Sequence, residues 1–147
     1  MREDLGRNRI IRPLPLLTPE NTPFWTGGAH GQLLVAHCDA CDHAIHPPEL
    51  VCPVCLSRTV TPRAARGTGV IFSWTINRQA WSPETAEPFA LAIVSLDGET
   101  GVRITARLID CDLTTIAIGD RVEVTFEEDR GIWFPLFRPL RVQRLTG

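Results

Sequence analysis

The chain has 147 residues, 44% apolar and 22% charged, which suits one compact unit or two small modules sharing a core and excludes wholesale disorder. Its 15 basic and 17 acidic residues leave a net charge of -2, which argues against a general polyanion binder, since such proteins carry a basic excess to displace counterions. All 15 basic residues are arginine, with no lysine and no tyrosine, and this reads as the bias of a GC-rich genome rather than as recognition of phosphate or carboxylate.

Residues Met1 to Arg12 hold no apolar stretch of the secretory kind, and no run approaches the roughly 20 apolar residues of a membrane span. The expected compartment is therefore a reducing cytoplasm, where five cysteines read first as metal ligands or core thiols. Residues 1–17 are Arg-rich, then Pro-rich, and read as an extended arm. Thr22 before Pro23 predicts a helix start with Thr22 as the cap, and Gly27, Gly28 and Gly31 predict that this helix is short. Gln32 to His37 reads as a strand leading into the first cysteine pair.

Residues 58–68 read as a connector, after which β signals repeat. Gly69–Asn77 and Phe89–Leu96 are β-rich runs separated by a long loop from Trp81 to Pro88. Val102–Leu108 alternates, with Val102, Ile104, Ala106 and Leu108 on one face. Arg121–Phe126 puts Val122, Val124 and Phe126 together, and Leu140 and Val142 mark a last short strand. Five short strands with no long helix predict a mainly β protein whose barrel is of the OB type. The expected division is an arm and short helix over 1–31, a zinc ribbon over 32–62 and an OB-fold over 63–147.

Cys38-x2-Cys41 and Cys52-x2-Cys55 are separated by ten residues, enough for a hairpin that brings two knuckles together. Two such knuckles offer a tetrahedron of thiolates, the donor set of a closed structural zinc site, which leaves no position for activated water. Disulfides would need a secreted chain, and a redox Cys-Pro-Val-Cys would leave the first pair unexplained. Iron in a rubredoxin-like site uses the same four thiolates, so spacing leaves zinc against iron open. His37, His43 and His46 read as surface groups or as supports of the site, and Cys111 as a small buried hydrophobe. Asp42 and Leu56 follow the pairs where the chain needs a left-handed turn, a geometry that Asp tolerates better than Leu.

Several motifs in order resemble the DUF35 family: Pro23-Phe24-Trp25, Gly31-Gln32-Leu33, the two cysteine pairs around Pro47-Pro48, and Gly67-x-Gly69-Val70-Ile71-Phe72-Ser73-Trp74-Thr75. Gly101-Val102-Arg103, Ile118 to Val124 and Phe137-Arg138-Pro139 continue the match, which covers about residues 13 to 140. The departures are Asp42 and Leu56, where the family often has Gly. The resemblance implies a rubredoxin-like zinc ribbon joined to an OB-fold, with structural zinc. It also implies a non-catalytic partner of a thiolase-fold acyl-CoA enzyme, such as a thiolase, an acyltransferase or a steroid side-chain aldolase. A MaoC-like hydratase can join such assemblies, and a CoA thioester can be shared with the partner.

Chemistry of the chain's own is not expected. All four histidines lie within 30–46 and none in the barrel, Ser73 and Ser95 have no base nearby in sequence, and no phosphate-binding Gly loop is present. Phe24 and Trp25 read equally as partner anchors or as packing, and Trp81 as an exposed contact. Trp74 and Phe72 are expected to share the core face of the first barrel strand, and Trp133, Phe134 and Phe137 to close the barrel. Arg63, Arg66 and Arg78 flank the barrel start and are the candidates for acyl-CoA phosphates. A single-stranded nucleic-acid binder is the alternative, disfavoured by charge, and a small enzyme ranks last.

Overall fold

The computed structural model describes residues 12–81 and 86–140. The arm before Arg12, the middle of the 81–88 loop and Val142 lie outside the described residues. A helix, α1 (Thr22–Thr26), runs into a 3₁₀ turn (Gly27–His30). Three strands follow, β1 (Leu34–Cys38), β2 (Ala44–Ile45) and β3 (Val60–Ala64), and form an antiparallel sheet in the order β2-β1-β3. Five more, β4 (Thr68–Asn77), β5 (Phe89–Leu96), β6 (Arg103–Leu108), β7 (Arg121–Asp129) and β8 (Ile132–Pro139), close a barrel in the order β4-β5-β6-β8-β7.

The barrel closes because alternation supplies an apolar inner face. Ala90, Ala92, Val94 and Leu96 of β5 point inward, as do Ile104, Ala106 and Leu108 of β6. Val122 and Phe137, both fully buried, complete this core. Pairing of Thr68–Val70 with Arg121–Glu123 seals the barrel and leaves no open edge there. Strand β1 and the residue before it serve two cores at once: Leu33 and Val35 join the barrel cluster, whereas Ala36 and Cys38 pack with Ile45 and Cys52 in the ribbon.

Four local expectations are corrected. The helix cap is Asn21, not Thr22; Asn21 Oδ1 accepts from the Thr18 N–H at 2.8 Å, and the Thr22 hydroxyl donates to Thr18 O at 2.6 Å. Residues 58–68 are not merely a connector, because β3 pairs with β1 from Leu34↔Ala64 to Cys38↔Val60. This edge strand is mostly exposed and carries Pro62, so it has no hydrophobic alternation to betray it. Among the described residues the last barrel strand is Ile132–Pro139, ahead of Leu140; its two prolines hide it, and they are tolerated because β8 meets β6 only at Leu108↔Phe137. Finally, Phe72 and Trp74 do not share a face. A bulge between Ile71 and Ser73 leaves Phe72 at 46% exposure while Trp74 turns against the core.

Candidate functional site

The two knuckles are built alike. Asp42 N–H donates to Cys38 O at 2.8 Å and Leu56 N–H to Cys52 O at 3.0 Å, while Cys38 N–H reaches His43 O and Cys52 N–H reaches Ser57 O, each at 2.9 Å. Both turns pass through the left-handed region, with φ of 62° at Asp42 and again at Leu56. The four sulfurs lie within 4.8 Å of one another, with Cys38 Sγ to Cys55 Sγ at 3.5 Å and Cys41 Sγ to Cys52 Sγ at 3.6 Å. A zinc–sulfur bond of about 2.3 Å requires tetrahedral sulfurs about 3.8 Å apart, so the cage is of the right size for such an ion.

The thiols influence one another strongly. The Cys41 backbone N–H, with help from that of Ala40, lowers Cys38 to about 7. For Cys41 the His43 N–H lowers the value, yet burial and the three other sulfurs outweigh it and push the thiol up to about 12. Four negative sulfurs in one small cage therefore call for a cation among them. Cys38 and Cys52 are buried, while Cys41 and Cys55 are exposed, so the ribbon holds the cage at its surface.

The histidines separate by environment. His37 is buried; its Nδ1–H donates to Val35 O at 2.9 Å and its Nε2 meets Glu99 Oε2 at 2.7 Å. His46 precedes a cis peptide bond to Pro47, tilts against Phe24 at 5.1 Å between ring centroids, and is held below its usual pKa by burial. Cys111 is half-buried against the barrel core, and burial raises its thiol.

A second feature was not legible in the sequence. The helix, the arm and the ribbon's Pro47–Pro48 step stand over the outer face of the barrel and enclose a groove of about 750 Å³. Its floor comes from Phe89 and Leu91 of β5, Thr105 and Arg107 of β6, and Phe134 and Leu136 of β8. Its walls are Trp25, Asn21, His46 and the Arg12 side chain. The aromatic rings interlock: Phe24 meets Trp25 edge-on at 4.9 Å, and Trp25 meets Phe134 at 5.5 Å. Arginines lie over the rings, with the Arg12 guanidinium 3.7 Å from the Phe134 centroid and that of Arg107 4.7 Å from Phe89. Arg103 covers the exposed Phe72 at 3.6 Å.

The arginines named from sequence lie elsewhere. Arg63 pairs with Asp42 and, at 3.4 Å, with Asp39, which braces the first knuckle. Arg66 and Arg78 are exposed and are not brought into the groove. Phe24 is 5% exposed and belongs to the core, which removes it as an inserted anchor; Trp25 is half-buried at the groove, and Trp81 is 78% exposed with its indole N–H on Asn77 Oδ1 at 3.1 Å.

A family model described as the ChsH2 rubredoxin-like zinc ribbon domain matches residues 25–61, and one described as the ChsH2 C-terminal OB-fold domain matches 62–127. A DUF35 domain-containing scaffold protein of Methanothermobacter thermautotrophicus is 34% identical over 63% of this chain and 70% of its own length. One from Pyrococcus furiosus is 34% identical over 67% of this chain and 76% of its length. A probable enoyl-CoA hydratase alpha subunit of Thermomonospora curvata is 29% identical over 89% of this chain, which spans only 41% of that relative. Among solved structures, a chain of the Ltp2-ChsH2(DUF35) aldolase superposes with a TM-score of 0.78 at 28% identity, over 86% of this chain and 98% of that one.

Proposed function

This chain belongs to the DUF35 family, and from that premise we propose that it is a non-catalytic accessory subunit of a thiolase-fold acyl-CoA enzyme, with a structural zinc held by Cys38, Cys41, Cys52 and Cys55. The observation that carries this reading is the likeness to the aldolase chain, which this chain matches over 98% of its length. The archaeal relatives named as scaffold proteins support the same role. The hydratase alpha subunit, of which this chain spans 41%, supports a MaoC-like hydratase as a further member of the assembly.

Zinc, when bound, cross-links the two knuckles and supplies no reaction chemistry, because four thiolates fill its coordination shell. The chain's own residues then position the surface offered to the partner. Trp25 and Trp81 are its aromatic contacts, and the exposed Arg66 and Arg78 are the cations that can turn toward the phosphates of a CoA thioester shared with that partner. Arg63, held by two carboxylates, serves the ribbon instead.

Affinity purification of the tagged chain from its native host tests the assignment. A thiolase-fold enzyme recovered in stoichiometric amount, inactive or insoluble when produced alone, is the expected result. A partner that is fully stable and active without this chain would sink the proposal.

A further inference from the structure

Among the described residues, four buried side-chain polar atoms have no hydrogen-bond partner: Arg12 Nε, Thr18 Oγ1, His46 Nδ1 and Arg107 Nε. All four residues line the groove between the helix, the ribbon and the barrel. Buried donors and acceptors are nearly always satisfied, because removing one from water without a new partner is costly. Arg12 Nε has Asp129 Oδ2 at 3.7 Å, so three of these groups, Thr18 Oγ1, His46 Nδ1 and Arg107 Nε, border the cavity with no polar partner from the chain.

The surroundings limit what that partner is. The cavity, about 750 Å³, lies in the range of small-molecule sites. Trp25, Phe89, Leu91, Phe134 and Leu136 give it apolar walls, so solvent in most of it would be poorly held and readily displaced. The charge is one-sided. Arg12 is neutralised by Glu127 at 2.8 Å, with Asp129 a further 3.7 Å from its Nε, whereas Arg103 and Arg107 have no carboxylate within 4 Å among the described residues and lie over phenyl rings. Glu20 also lines the groove, so these two guanidinium groups against one carboxylate leave a single positive charge over. That balance matches one negative charge better than two.

We propose that this groove binds a small amphipathic carboxylate, its apolar body among Trp25, Phe89, Leu91 and Phe134 and its carboxylate supplying the acceptor that the Arg107 guanidinium lacks. A carboxylate suits these donors because a hydrogen bond between two charged groups is about twice as strong as a neutral one.

Calorimetric titration of the full-length chain with decanoate, decanol, decylamine and decyl phosphate, each below its micelle-forming concentration, tests this. Decanoate is expected to bind about tenfold more tightly than decanol, with decylamine weakest. Arg107→Gln is expected to weaken decanoate about tenfold and leave decanol unchanged, and Leu91→Trp, which fills the floor, to abolish both without lowering the melting temperature. Equal affinity for decanoate and decanol, unchanged decanoate binding in Arg107→Gln, or no decanoate binding at millimolar concentration would overturn the site. Tighter binding of decyl phosphate would overturn the choice of head group.

Discussion

His37 and Glu99 lie 62 positions apart in sequence and meet at 2.7 Å between Nε2 and Oε2, joining the ribbon's central strand to the turn between β5 and β6. Both side chains are about nine-tenths buried, and the other ring nitrogen donates to Val35 O at 2.9 Å. This polar bridge runs between the two modules beside the apolar contact made by Leu33 and Val35. Glu99→Ala is expected to lower unfolding free energy by about 1–3 kcal/mol, since it leaves a buried imidazole nitrogen without its hydrogen-bond partner. Replacing the pair together, as His37→Phe with Glu99→Leu, should recover most of that loss, and denaturant unfolding of the single and double variants measures the difference.

The thiol cage leads to a second expectation. One equivalent of zinc should accompany the chain, and Cys55→Ser should reduce its retention against a chelator. Removing the metal should unfold the ribbon, whose own buried cluster is only Ala36, Cys38, Ile45 and Cys52, while the barrel keeps its sheet. Metal analysis and amide exchange resolve the two modules. Full ribbon protection after chelation would show that the cage needs no ion.

Leu56 offers an improvement. It sits at φ 62° with 73% of its surface exposed, so it bears the left-handed penalty with little burial in return. Leu56→Gly is expected to raise stability of the metal-loaded protein by about 0.5–1 kcal/mol, the steric relief of about 1–2 kcal/mol being offset by glycine's unfolded-state entropy. Asp42, at the same φ, should not gain from Asp42→Gly, because its carboxylate pairs with Arg63. Thermal melts of both variants check the contrast.

Acid sensitivity should have a local origin at the barrel seam. Arg121 grips Asp97 through its two terminal guanidinium nitrogens, at 2.9 and 2.5 Å, and the Thr68 hydroxyl donates a further bond at 2.6 Å. These contacts hold the carboxyl down to about 2. An unfolded Asp titrates near 3.9, so the contribution is complete above about pH 4 and is lost as pH falls through the folded value. Asp97→Asn should be less stable than the parent at pH 6, with the gap narrowing toward pH 2 and shrinking in high salt because Arg121 is partly exposed. A gap that does not change with pH would assign the loss to the Thr68 contact instead.

Much of this molecule could be read from local pattern. The four thiols were legible because Cys-x2-Cys is a short-range constraint: each pair closes its own turn, and only ten residues separate the turns. The inward faces of β5 and β6 were legible because alternation has a period of two. Strands β3 and β8 were not, since an exposed edge and a proline-bearing ladder lack that period. The face of Phe72 was hidden for a related reason, as one bulged residue inverts the alternation and leaves no mark in composition.

Which residues can cage a metal, and which faces of the regularly alternating strands are buried, follow from neighbours a few positions apart. That Arg12, His46 and Arg107, from an arm, a ribbon turn and a barrel strand, line one groove follows from packing alone. Packing also decides that Arg63 braces a knuckle rather than facing a ligand. Those outcomes depend on how β1 and the helix pack across the closed barrel, and packing between distant segments is set by shape and burial that no local spacing encodes.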